Sequence, residues 1–320
     1  MFIFLFLCKN VLAQFAPPAG QIGSTALHKD SGNFISWANN CVVNRGFQDI
    51  SDTTLGLSNV GTTTSPIGIA DGLNVLSLGD GGSAILTFPN PIKNGIGWDF
   101  AVFENAFIDT YLELAFVEVS SDGINFFRFP ATSNTQDTMQ IGSFGAVDAT
   151  KINNLAGKYV ALYGTPFDLE EMKNIQGLDV DFITHIKIID VVGCIQESFA
   201  RYDKNGNKIN DIWNTPFGSS GFDLDAIGVI HQQPLNFINN EDEKIVSVYP
   251  NPTNNFIFIE NKTENIKEIF VYDIFGNKLK TKFEIENNRL KIDLSNESNG
   301  IYFLHIKTAS TVLIKKIIKE

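Results

Sequence analysis

Cysteine is scarce in this sequence, with 3 residues in 320, and one of them, Cys8, falls in the apolar stretch at the start. That excludes a disulfide-dense scaffold and a zinc site built from closely spaced Cys and His pairs. Positive charge is short too: 24 Lys plus Arg stand against 36 Asp plus Glu, a net charge of −12. Such a balance argues against nucleic acid and anionic membrane surfaces as partners, while suiting solubility and divalent cations. Beyond the first residues no stretch reaches the roughly 18 apolar residues that a membrane-spanning helix requires. Runs with helical period are rare and no internal repeat is evident. The usual signatures of hydrolytic catalysis are missing as well. There is no HExxH and no GxSxG, "GSSG" at Gly218 lacks the elbow pattern, and His28, His185, His231 and His305 are scattered. His185 opens a strand-like run and reads as a packed residue.

What the chain does have is phenylalanine, 27 residues, and glycine, 26. That composition leans toward strands and tight turns. From Ile67 to Phe129, short apolar runs alternate with turn signals. In "FVEVSSDGINFFRF", Phe116, Glu118 and Ser120 alternate with Val117, Val119 and Ser121, the period of two expected of a strand with one buried face. "SSDG" supplies the turn, and "INFFRF" returns as the partner strand. Further strands are expected at "AGKYVALYG", "THIKIIDVVG" and "GFDLDAIGVIH". The spacing predicts an all-β passenger, a jelly-roll β-sandwich of about 200 residues. Helix is confined to two short pieces: "GNFISWANNCV", where Phe34, Trp37, Ala38 and Cys41 recur at helical spacing, and "DLEEMKN" from Asp168.

The first residues, "MFIFLFLCKNVLAQ", hold an apolar run too short to span a bilayer, and they read as a secretory signal peptide over 1–13. Val11 and Ala13 occupy the −3 and −1 positions of a cleavage site. No Lys or Arg precedes the run, which leaves room for a start further upstream. Leu7 is too bulky before Cys8 for a lipoprotein site. In the exported chain Cys41 and Cys194 remain, and a disulfide joining them is the expectation, two buried free thiols the alternative. Such a bridge closes a loop of about 150 residues, for which chain-entropy models give about 4 to 5 kcal/mol.

After a passenger over 14–234, the run "LNFINNEDEK", polar and charged with few apolar anchors, marks a linker over 235–244. About 75 residues of strands and hairpin turns follow. Here "VYPNPTNNFIFIE", "IFVYDIFGNKLK", "IDLSNESNGIYFLHIKT" and "KKIIK" resemble the type A C-terminal sorting domain of the type IX secretion system of Bacteroidota. The resemblance covers 245–320. It rests on Tyr249, Pro250, Asn251 and Pro252, then Asp273 and Gly276 in a turn, then Asn299, Gly300, Ile301 and Tyr302, then Lys315, Lys316 and Lys319. It implies a second, small β-sandwich, the type IX translocon as partner, and a product released or held at the outer cell surface. Pro250 and Pro252 cannot donate ladder hydrogen bonds and so end a strand. The basic tail is expected to offer a charged recognition edge.

The passenger is similar to galactose-binding-like and discoidin-like jelly rolls on "FVEVSSDGINFFRF", "AGKYVALYG" and "THIKIIDVVG". "LGDGGSAILTFPNPIKNGIGWDFAVFENAF" is similar to bacterial surface proteins, some among cobalamin-uptake proteins. These resemblances imply a sandwich and a cellular address, and no catalytic residues.

Two sets of oxygen-bearing residues are candidates for structural Ca2+. In "DKNGNKIND", Asp203, Asn205, Asn207 and Asp211, with the Ile209 carbonyl, occupy positions that converge on calcium in a ligand loop. Its glycine stands at position 4, not 6, and Asn214 replaces the final bidentate acid. Asn205-Gly206 equally suits a hairpin turn. The second set is Asp71, Asp80, Asp99, Glu104 and Asn105 with Asp223 and Asp225; Glu104 lies in an apolar strand, where a charge needs a partner or cation. Glu104 and Glu118 are the carboxylates a glycosidase could pair at about 5 to 9.5 Å. Trp98, Phe103, Phe107 and Tyr111, or Phe126, Phe127 and Phe129, could stack on a sugar, although alternation sends half of each set to the core. The expectation is a non-enzymatic secreted or surface protein whose passenger binds a glycan or other surface ligand. Small-molecule capture linked to cobalamin and a carbohydrate-active hydrolase are the alternatives.

Overall fold

The computed structural model describes residues 15–234, 246–261, 266–286, 289–307 and 312–320. The signal peptide over 1–13, Cys8 and the linker over 235–244 lie outside the described residues. The chain divides into two compact units, Met1–Pro234 and Leu235–Glu320. Among the described residues no helix is long and apolar enough to cross a membrane.

Among its described residues the first unit has 13 strands: β1 (Leu27–His28), β2 (Ser36–Trp37), β3 (Asn40–Asn44), β4 (Leu76–Ser77), β5 (Ser83–Ile92), β6 (Phe100–Glu104), β7 (Ala115–Ser120), β8 (Phe127–Arg128), β9 (Thr132–Ser133), β10 (Ile152–Asn153), β11 (Tyr163–Phe167), β12 (Ile183–Asp190) and β13 (Asp223–Val229). The two main sheets run β1-β11-β6-β13-β2, with β4 also on β13, and β3-β5-β12-β7-β8; β9 and β10 pair with each other apart from them. Every strand pair in them is antiparallel. Phe100, Val102, Leu224 and Ile227 from the first sheet share one buried cluster with Leu86, Val117, Val119, Ile186 and Ile188 from the second. The two sheets therefore pack face to face as a sandwich.

Alternation places β7 as its sequence suggests. Val117 and Val119 enter the core between the sheets, while Glu118, on the other face, pairs with Arg128 at 2.8 Å and Lys187 at 3.8 Å. β8 returns in register, with Glu118 opposite Arg128 and Val119 opposite Phe127. The helix expected around Phe34 does not form; β2 and β3 stand there. Its four apolar residues serve two different surfaces. Phe34, edge-on, and Trp37, tilted, pack against Phe103 outside the first sheet, at ring separations of 5.6 and 5.4 Å, whereas Ala38 and Cys41 join the core between the sheets. The second expected helix is one 3-10 turn, Leu169–Met172, capped by Asp168.

The expected disulfide is corrected as well: Cys41 and Cys194 are free and buried. Cys41 lies in the sandwich core and Cys194 in a separate apolar cluster with Val192 and Trp213, so folding takes the two sulfurs into different cores. Burial pushes the Cys41 thiol up to about 11, which leaves it protonated and unreactive.

The second unit carries β14 (Val246–Tyr249), β15 (Phe256–Asn261), β16 (Glu268–Asp273), β17 (Lys282–Glu286), β18 (Arg289–Asp293), β19 (Gly300–Lys307) and β20 (Val312–Lys319). They form the sheets β14-β15-β18-β17 and β16-β19-β20. Val246, Ile257, Ile259 and Ile292 of one sheet meet Val271, Leu304, Ile306 and Ile317 of the other in one core, a second and smaller sandwich.

Candidate functional site

The residues read as a calcium loop form a turn whose carboxylate is already engaged. Asp203 Oδ1 accepts from the amides of Asn205 (2.8 Å) and Asn207 (2.9 Å), and Oδ2 accepts from Ser133 N (3.0 Å) and Asn207 Nδ2 (3.2 Å). Burial opposes ionisation here, but these donors outweigh it and hold the carboxyl below its ordinary value. Asp211 points away from the turn and accepts from Leu114 N at 2.8 Å, and Ile209 is packed in an apolar cluster. The second unit repeats the device. Asp273 accepts from Phe275 N, Asn277 N and Asn277 Nδ2, each at 2.9 Å. Both stretches read Tyr-Asp-x-x-Gly-Asn-Lys, both have Tyr bridged to Lys across the turn, and Gly206 and Gly276 have φ of 82° and 81°. A shorter version, Asp-Gly-x-Asn, recurs at Asp71 and Asp122, where the carboxylate accepts from the two amides that follow the glycine.

The second calcium set is dispersed. Asp99 and Glu104 stand at opposite ends of β6, roughly 16 Å apart along a strand that rises about 3.3 Å per residue. Asp99 is enclosed by Gly95 N (2.8 Å), Leu169 N (2.7 Å) and His231 Nδ1 (2.7 Å). Asp225 accepts from the amides of Asp71 and Gly72 at 3.2 and 3.0 Å. Asp80 takes Ile50 N and Trp213 Nε1 at 2.9 and 3.0 Å. Among the described residues no three His, Cys, Asp or Glu side chains meet closely enough to hold a metal ion. Glu104 and Glu118 belong to different sheets and do not form a pair.

Glu104 instead meets two other acids. Because β6 and β13 are antiparallel, with Leu224 opposite Glu104, the end of β6 lies beside the start of β13. The segment between β6 and β7 and the one before β13 complete a cavity of about 170 Å3. Its inner wall holds Glu104, Glu113 and Asp223; Phe107, Tyr111 and Phe217 line it too, with Asn105, Thr215 and Ser219. Phe107 is 66% exposed and lies 4.6 Å from the Tyr111 ring, centroid to centroid. Gly221, at φ 68°, turns the chain into β13 where a Cβ would stand 2.7 Å from the Gly79 carbonyl carbon.

The acids differ in how they are held. Glu104 accepts from Ala106 N at 2.8 Å, and Asp223 accepts a short hydrogen bond from Ser77 Oγ. Glu113 is 7% exposed and receives no hydrogen bond from any described residue. Burial, then Asp223 and Glu104, pushes the Glu113 carboxyl well up; burial, then Asp223, does the same to Glu104. Asp223 is pushed up to about 7 by burial, against the pull of Ser77 and Arg45. Sequence reasoning named Glu104, Asp223, Phe107 and Tyr111 but missed Glu113 and Phe217. The signal for Glu113 was the same as for Glu104: one charge inside an apolar run, "YLELAF".

In the second unit the family residues converge on β20. Asn251 Nδ2 donates to Lys316 O (2.7 Å) and its Oδ1 accepts from Ile318 N (2.8 Å). Thr253 N donates to Ile318 O, and Glu320 N donates to Thr253 O, so the proline segment runs parallel to the last strand. Gly300 pairs with Lys319 across β19 and β20, and Lys319 Nζ reaches Asn299 Oδ1 at 3.3 Å. Tyr302 donates its hydroxyl to Ser298 O. The expected basic edge is smaller than the sequence suggests: Lys315 and Lys319 are 8% and 7% exposed, and of the three lysines Lys316 alone has an exposed side chain.

Comparison with known proteins agrees with this unit. Residues 247–320 match the family described as "Secretion system C-terminal sorting domain". The C-terminal unit is a type IX sorting signal, and the protein is secreted or displayed at the cell surface. A search of curated proteins finds no match. Among solved structures, one similar chain is titled "Biofilm associated protein - BSP domain", at 9% identity and a TM-score of 0.19, covering 91% of this chain. This chain spans 52% of that one, and at that score the likeness carries no argument.

Proposed function

We propose that the first unit is a non-catalytic binding module, carried outside the cell by its sorting signal, and that it takes a terminal sugar residue of a glycan in the cavity between β6 and β13. The observation that carries this is the pairing of exposed aromatic rings with buried carboxylates around one opening. Aromatic faces stack on the apolar face of a sugar, and carboxylates accept hydrogen bonds from its hydroxyls. At about 170 Å3 the cavity is on the scale of one sugar ring and far below that of a corrinoid. Hydrolysis by two carboxylates needs environments that push the two apart, one acid and one base. Here all three are pushed in the same direction, which favours binding over turnover.

The test is a glycan array probed with the full chain, followed by calorimetry on the hits. Binding that Phe107→Ala weakens about tenfold, with an unchanged melting temperature, supports the reading. An array silent for every glycan, or hits indifferent to Phe107→Ala, refutes it.

A further inference from the structure

The sugar that fits this cavity carries a positive charge. Glu113 is 7% exposed, lines the cavity and is offered no hydrogen bond by any described residue, so its carboxyl is met by whatever fills the cavity. Glu104 and Asp223 face the same space, Glu104 accepting from Ala106 N and Asp223 from Ser77 Oγ. No Lys, Arg or His is among the described residues that line the cavity. Arg45, which pulls on Asp223, spends its guanidinium on the carbonyls of Val60, Ser77 and Gly61. A neutral ring brings no counter-charge to the three acids, whose ionisation burial and one another oppose.

A bare metal ion fits poorly, because no three acidic groups come to metal-binding distance. An ammonium group on a ring is larger, donates three hydrogen bonds, and can lie against the aromatic rim formed by Phe107, Tyr111 and Phe217. We infer that the ligand is an amino sugar with a free ammonium group, seated on Glu113 between Glu104 and Asp223; this rests on the sugar-binding reading above.

Calorimetry on the full chain would compare glucosamine oligomers, their N-acetylated counterparts, neutral glucose oligomers and an alkylamine without a ring. The expected result is preference for the free amine over the N-acetyl form by about ten- to hundredfold, the range for hydrogen bonds to a charged group. Glu113→Gln keeps the shape and removes a buried acid, so it should fold; it should bring free-amine binding down to the level of the N-acetyl form, whereas a loss of fit would weaken every oligomer alike and leave the ratio in place. Equal binding of free-amine, N-acetyl and neutral oligomers would overturn the inference and leave the sugar reading standing. Alkylamine binding as tight as glucosamine, with no neutral sugar bound, would sink the sugar reading. Silence from every arm would sink both.

Discussion

Asp80 offers the sharpest test of how the buried acids set stability. Its carboxylate is 3% exposed and accepts from Ile50 N, Trp213 Nε1 and, at 3.3 Å, Ser220 Oγ. Burial, then Asp190, pushes it from 3.8 to about 7. The folded state thus binds its proton more tightly than the unfolded state, and stability falls as pH rises from about 4 to about 7. Asp80→Asn removes the titration. Its amide oxygen can keep Ile50 and Trp213, and its NH2 can donate to the Ser220 hydroxyl. A rise of about 3 units at 1.36 kcal/mol each sets a ceiling of about 4 kcal/mol. The variant should therefore match the wild type at pH 4 and exceed it by up to about 4 kcal/mol at pH 8. For a unit of this size that is roughly 8 to 16 °C in melting temperature, at about 2 to 4 °C per kcal/mol. Asp223 titrates in both proteins and largely cancels in the difference, whereas Asp190, which helps to raise Asp80, ionises more easily in the variant and adds to the gap in the same direction. Tryptophan fluorescence on the full chain is a suitable assay, since Trp37, Trp98 and Trp213 all lie in the first unit. A stability gap that stays constant between pH 4 and pH 8 would refute the reasoning.

Three further outcomes are expected. Asp203→Ala should lower the melting temperature in chelator, since it strips four hydrogen bonds from the turn, and adding Ca2+ to the wild type should shift nothing; a calcium-dependent rise would restore the ligand-loop reading. Asn251→Ala removes two hydrogen bonds to β20, about 1 to 3 kcal/mol at about 0.5 to 1.5 each, and hydrogen exchange should quicken at the Ile318 amide; unchanged protection would mean that Asn251 does not hold the strand. Cys41 and Cys194 should resist alkylation in the native protein and react after denaturation without reductant, as mass spectrometry would show; a requirement for reductant would mean that they are bonded.

The strands were legible where one face is buried and the other solvated, as in β7, because a period of two survives in the residues themselves. Around Phe34 the same kind of evidence misled, since residues at helical spacing turned out to line two surfaces of one sandwich. The sorting signal was legible because its motifs are short and ordered along the chain. The cavity was half legible. Glu104 and Asp223 stood out as acids in apolar runs, but their meeting depends on the antiparallel register of β6 and β13, which adjacent sequence does not encode. The calcium loop was ambiguous for a related reason. Asp-x-x-Gly-Asn and a metal loop draw on the same residues, and only the positions of the amide hydrogens decide whether the carboxylate staples its own turn or faces outward.

The zipper between the proline segment and β20 has a consequence for timing. Asn251 and Thr253 leave the ribosome some 60 residues ahead of the strand that they bind. Until residues 316–320 arrive, the proline segment has no parallel partner, Asn299 has no Lys319, and β19 has one open edge. A chain interrupted before that point would carry the proline and Asn299–Tyr302 motifs yet could not bring them together. The assembled signal thus doubles as a mark that translation has run through the whole unit.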